Sequence, residues 1–182
     1  LTMDWLEGSP LGQVLKSPLP QELSDELGQA LWDFYHFQMH TLKTVHADPH
    51  PGNFIITNDN KLGIIDFGCV KEIADDFYNI YFQLMDPEIL TDTSKRDKVF
   101  HQLNFIHPED SAREREFFTT IFAKLVELLG RPFRSEVFDF ANNTYFEELY
   151  GFGEKLSTMK ELRDSRKARG VRDAVYINRT YF

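Results

Sequence analysis

From Pro20 onward, apolar residues recur at the helical interval at Leu23, Leu27, Leu31 and Phe34, and Leu42 extends the stripe. That pattern predicts one long helix over residues 20–43, opened by a proline whose missing N–H is no loss in the first helical turn. The period then changes. Phe54-Ile55-Ile56-Thr57 and Leu62-Gly63-Ile64-Ile65 read as two strands around an Asn58-Asp59-Asn60 turn, a β-hairpin. Beyond it, Ile73, Phe77, Ile80, Tyr81 and Leu84 return to the helical period and predict a helix from Lys71 to Met85, ended by Pro87 within Asp86-Pro87-Glu88. Further helices are expected over 95–105, 111–129, 134–150 and 154–168, with breaks at His107-Pro108, Gly130-Arg131-Pro132 and Gly151-Phe152-Gly153. The predicted class is mainly α with one small β-hairpin, an α+β arrangement.

Composition adds limits. With 42% hydrophobic residues in 182, the chain supports one good core and is short for two independent domains. Seventeen Phe and seven Tyr make that core aromatic. A formal charge of −9 argues against nucleic acid as a partner, because such binders carry a basic footprint. The charge is uneven: residues 154–182 hold eight Lys/Arg against four Asp/Glu. Anionic lipid would attract that stretch, but a solvated helix face is the commoner origin of such a run. The single Cys69 has no partner for an internal disulfide and is expected to be small buried filler. His36 and His40 stand four apart; with no third ligand in the pattern they read as a helix-surface pair rather than a metal site. No apolar run reaches the roughly 18 residues a membrane span needs.

The chemistry concentrates in His46-Ala47-Asp48-Pro49-His50-Pro51-Gly52-Asn53 and Ile64-Ile65-Asp66-Phe67-Gly68. In protein kinases a His-x-Asp loop is followed by an Asn, and a second Asp opens an Asp-Phe-Gly triplet after a short hairpin. Here Asn53 lies five residues after Asp48, and Asp66 thirteen after Asn53, so order and gap both agree. The spacing has a physical reason. Phosphoryl transfer needs one carboxylate at the acceptor oxygen and oxygen ligands that hold Mg²⁺ against the polyphosphate. Asp48 is the candidate for the first role, Asn53 and Asp66 for the second, and the hairpin between them turns both toward one ion.

The longer strings, His46 to Asn53 and Leu62-Gly63-Ile64-Ile65-Asp66-Phe67-Gly68, resemble the AarF/UbiB/ADCK family of atypical kinases. Met3-Asp4-Trp5-Leu6-Glu7-Gly8 is similar to that family's hinge between lobes, and Asn178-Arg179-Thr180-Tyr181-Phe182 to its C-terminal stretch. The resemblance implies a protein-kinase-like C-terminal lobe over 1–182, with the hinge at 1–8, the long helix at 20–43, the catalytic loop, hairpin and triplet at 46–68, and a helical remainder at 71–182. The family's N-terminal lobe, with its Lys-x-Gly-Gln helix, alanine-rich nucleotide loop and phosphate-binding lysine, cannot be placed here, so a fragment lacking that lobe is expected.

By the same resemblance, ATP and Mg²⁺ are the cofactors. Met3 would line the adenine pocket, the backbone from Asp4 to Leu6 would bond the base, and Asp48 would act as catalytic base or position the acceptor. Asn53 and Asp66 would hold Mg²⁺, and His46 would brace the loop beneath Phe67. The missing lobe and an isoprenoid lipid or membrane are the implied partners, the location is cytoplasmic or at a membrane surface, and ubiquinone or related lipid metabolism is the implied role. Two rivals are an aminoglycoside- or choline-phosphotransferase-like enzyme, which usually has Gly where this chain has Ala47, and a non-catalytic nucleotide- or lipid-binding scaffold.

Overall fold

The structure, a computed structural model, describes residues 5–159; the expected roles of Met3 and Asp4, the tail helix beyond 159 and the 178–182 stretch lie outside them. It is mostly helical with small antiparallel sheets. The chain forms two compact units, divided after Asp75.

In the first unit, β1 (Gly8–Pro10) and a short α1 (Leu11–Val14) precede α2 (Gln21–Phe37). Pro20 sits at the N-cap of α2, and the helix runs on as a π-helical turn, Gln38–Leu42, closed by Lys43 at a left-handed φ of 51°. The expected long helix is thus present with a widened last turn, a device that re-aims side chains. Two sheets follow. In the first, β1, β3 (Phe54–Thr57) and β4 (Leu62–Ile64) pair antiparallel in that order. Gly8 is required in β1 because a Cβ there would stand 2.3 Å from the Ile56 carbonyl oxygen. Pro10 costs the ladder nothing in an edge strand. In the second sheet, β2 (Thr44–His46) pairs with β5 (Val70–Glu72), placing His46 opposite Val70. The β3–β4 turn closes where Thr57 Oγ1 accepts from the Lys61 N–H at 2.9 Å, and Asn60 takes φ of 63°.

The segment after the triplet corrects the expectation of a helix over 71–85. Val70–Glu72 is a strand, and α3 (Asp75–Tyr81) starts only after it, passing into a 3-10 turn at Phe82–Met85. Pairing with Thr44–His46 overrides the helical period, since Ile73 N–H donates at 2.7 Å to the Lys43 carbonyl and so completes the ladder instead of entering the helix.

The second unit is built by capped helices. Pro87 ends one turn and starts another, Pro87–Leu90, with the Asp86 carboxylate accepting from the Glu88 N–H at 2.9 Å. Asp92 caps α4 (Thr93–Gln102), and Ser111 with Glu114 forms a reciprocal capping box on α5 (Ala112–Gly130). Phe118, Ile121, Phe122 and Val126 of α5 meet Val99 and Phe100 of α4 and Leu84, Ile89 and Ile106 in one apolar core. Phe105 lies flat on Phe122 with ring centres 4.1 Å apart. Where helices are expected over 134–150 and 154–168, the described residues, which end at 159, hold one helix, α6 (Asn143–Thr158), capped by Asn142 and continuous through the expected break. Gly151 and Gly153 do not break it, because Phe152 and Leu156 pack on the core and reward continuation. Among the described residues no helix is long and apolar enough to cross a membrane.

Candidate functional site

His46 ends β2 and is 2% exposed. Its position is set from below by Gln38, itself 5% exposed in the π-helical turn, whose Oε1 accepts the His46 backbone N–H at 2.6 Å. The ring then reaches both halves of the motif. Nδ1 accepts from the Asp48 N–H at 3.4 Å, so Nε2 carries the proton and donates to the Ile65 carbonyl at 3.2 Å. The ring also meets Phe67 edge-on, with centres 5.3 Å apart. One buried imidazole thus ties the backbone of Asp48 to the residue preceding Asp66. The Ala47 N–H adds a bond to the Cys69 carbonyl at 2.8 Å.

Asp48 and Asn53 are brought together. Asn53 Nδ2 donates to the Asp48 carboxylate at 3.0 Å and to its carbonyl at 3.1 Å. His50 Nδ1 accepts from Gly52 N–H at 3.0 Å, and the 3-10 turn Pro51–Asn53 returns the chain to β3. At the mouth of the hairpin the Ile65 N–H donates to the Asn53 carbonyl at 2.9 Å, which puts Asn53 next to the start of the triplet. Asp66 adopts a left-handed φ of 59°, and its Oδ1 accepts from the Gly68 N–H at 3.2 Å. Aspartate tolerates that region because its side chain can bond the local backbone, as it does here with Gly68.

Leu6 lies apart from these groups: its side chain covers Gly63 of β4. Cys69 is exposed, which corrects the expectation of buried filler; it comes to the surface because β5 leads the chain out along a sheet edge. His36 of α2 and His40 of the π-helical turn lie side by side, with ring centres 5.2 Å apart and planes tilted by 53°. Sequence reasoning overlooked Tyr35. It stands three residues before Gln38 on the same helical face, its hydroxyl is buried without a hydrogen-bond partner, and burial followed by the charge of Asp48 raises its phenol above the ordinary value. The available signal was that i, i+3 relation to a glutamine just ahead of the loop.

The donor chemistry suits a hard cation. Asn53 spends its side-chain N–H groups on Asp48 and keeps its side-chain Oδ1, and Asp66 has a second carboxylate oxygen beyond the one held by Gly68. One carboxylate and one amide oxygen form the kind of sparse protein set that Mg²⁺ completes with phosphates and water. No cluster of three or more His, Cys, Asp or Glu able to hold a metal occurs among the described residues, so a closed all-protein site is not present there.

Residues 1–100 match the model of the ABC1 atypical kinase-like domain, and the chain belongs to that family. Among curated proteins, it is 32% identical over 83 residues to the chloroplastic protein ACTIVITY OF BC1 COMPLEX KINASE 3 of Arabidopsis thaliana, a match covering 42% of this chain and 11% of that protein. An aarF domain-containing protein kinase of Arabidopsis, uncharacterized and also chloroplastic, is 34% identical over 92 residues, 47% of this chain and 12% of the relative. An uncharacterized Synechocystis protein is 31% identical over 78 residues, 40% and 19% of the two lengths. The chain thus matches only a small part of each of these relatives.

Proposed function

We propose that this chain carries the metal- and acceptor-handling loop of an ATP-dependent atypical kinase or ATPase, acting in a longer protein as its C-terminal lobe. Asp48 is the base or acceptor-positioning group, Asn53 and Asp66 supply oxygen ligands to Mg²⁺, and the chain around Met3, Asp4 and Leu6 borders the nucleotide base. Bound Mg²⁺ would neutralise charge on the transferring phosphoryl group. His46 keeps Asp48 and the Asp66 strand end in fixed register, and Asn53 restrains the Asp48 carboxylate so that its free oxygen stays aimed. By family, we assign the parent to ubiquinone or other isoprenoid-lipid metabolism at a membrane surface or in the cytoplasm.

The observation that carries this reading is the double hold of His46 on Asp48 and Ile65, beside the Asn53 to Ile65 bond at 2.9 Å. A chance set of turn residues has no reason to share one buried imidazole. In the full-length protein, Mg²⁺-dependent ATP turnover should fall about 100-fold or more in Asp48→Ala or Asp66→Ala, in line with removal of a general base or metal ligand. The 182-residue chain alone should show negligible turnover. Turnover in the full-length protein that persists in Asp66→Ala would overturn the assignment.

A further inference from the structure

A groove of about 570 Å³ runs along α2 and the β4 edge of the hairpin, on the same compact unit as the motif but lined by none of Asp48, Asn53 and Asp66. Its floor is apolar: Leu27, Phe34 and Phe37 come from the helix and Leu62 and Ile64 from the strand. Phe37 is 53% exposed and carries the apolar floor out to the edge of the groove. The helix side of the rim is acidic. Glu26 and Asp33, two turns apart on the helix, line the groove and make no salt bridge with a lysine or arginine among the described residues. The one cation on the rim, Lys61, is held by Asp59 at 2.6 Å. The whole of α2 carries four carboxylates, Glu22, Asp25, Glu26 and Asp33, and no Lys or Arg.

We propose that this groove docks an extended segment of another protein that carries two Lys or Arg residues flanking a large apolar side chain. Charge complementarity selects that occupant, since an acidic or neutral segment would leave Glu26 and Asp33 facing like charge or nothing. Geometry sets the spacing. Seven residues of helix separate the two acids by about 10 Å; an extended chain turns every second residue to one face, so two bases four positions apart, about 13 Å, with the apolar residue midway, meet both acids once their long side chains lean inward. A leucine or phenylalanine between the two bases then points at Phe34, Phe37 and Ile64, and the backbone of α2 needs no rearrangement.

The test uses fluorescein-labelled 12-residue peptides and the full-length protein, read by fluorescence anisotropy. Peptides with two Arg four positions apart and Leu or Phe midway between them should bind saturably and weaken as salt rises. The double substitution Glu26→Lys with Asp33→Lys should weaken them at least tenfold and let the Glu-for-Arg peptides bind instead. Phe37→Ser, on an exposed side chain, should weaken the basic peptides without inverting the charge preference, and serves as the second probe if the double variant does not fold. Absence of saturable binding, equal binding by the double variant, or equal binding of peptides with Ser in place of the apolar residue would overturn the proposal.

Discussion

The two compact units put their polarity in opposite places. Among the described residues, the buried hydrophobic side chains of the first unit are Leu27, Phe54 and Ile56, whereas eleven of the fourteen in all belong to the second. Among the described residues, the polar residues that are buried as a whole, Gln38 and His46, are both in the first unit and are bonded to each other through the His46 N–H. An apolar core packs well but tolerates many arrangements, while a buried polar pair has one arrangement that satisfies it. The unit that carries the motif uses the second strategy, as a site needing register between Asp48 and Asp66 should.

The largest consequence falls on the apolar unit. Phe100 is fully buried, edge-on to Phe105 and Phe122, and Phe100→Ala should cost about 3–5 kcal/mol in urea unfolding. Phe67, although it touches His46, is 54% exposed, and Phe67→Ala should cost no more than about 1 kcal/mol. Equal costs for the two would erase the contrast between the units.

A smaller effect, confined to the polar unit, is expected for Gln38→Leu. The side chain keeps its bulk but strands the buried His46 N–H, at a cost of about 1–3 kcal/mol. Native-state hydrogen exchange should show the His46 amide opening faster, with the amides of α5 unchanged. Unchanged protection at His46 would mean that the hydrogen bond is not what holds the loop.

What could be read in the sequence divides along similar lines. The hairpin was legible because Phe54 to Ile64 is a local unit with its turn chemistry inside it. So was the helix closing on Gly130, marked by the break at Gly130-Arg131-Pro132. The three-residue strands were not. Gly8-Ser9-Pro10 has no β-forming residue, and its partner lies more than forty residues on, at Ile55 to Thr57. Val70-Lys71-Glu72 is too short to outweigh the helical spacing from Ile73 to Leu84, and only the distant Thr44–His46 makes it a strand. Gly151 and Gly153 suggested a break because flanking glycines weaken a helix; the tertiary burial of Phe152 and Leu156 compensates. The candidate residues Asp48, Asn53 and Asp66 came from spacing, but the part of Gln38 depends on a π-helical turn that leaves no pattern in the sequence, and Tyr35 had only its i, i+3 relation to Gln38 to mark it.

The smallest effect compares two carboxylates that look equal in titration. Glu148 of α6 and Asp59 in the hairpin turn are both pulled down to about 2, Glu148 by hydrogen bonds from Arg131 and then Lys124, Asp59 by those from Lys61 and then Thr57. In each the folded value lies below the unfolded one. The unfolded chain therefore binds the extra proton, and the stability each contributes is present above the ordinary carboxylate range and lost as pH falls through about 2. Their settings differ. Glu148 bonds Arg131 and Lys124 at 2.6 Å each, and Glu127 bonds the same two cations, so four side chains link α6 to α5 and the residue after it. Asp59 and Lys61 bridge only one turn, with side chains 61% and 78% exposed. Solvent screening discounts such an isolated pair far more than a partly shielded network. Glu148→Gln should therefore flatten the decline in urea midpoint between about pH 5 and pH 2, and should still do so in ~0.5 M NaCl. Asp59→Asn should flatten it weakly at low salt and not measurably in ~0.5 M NaCl. If the two substitutions behave alike in salt, the network adds nothing beyond its separate pairs, and packing alone holds the second unit together.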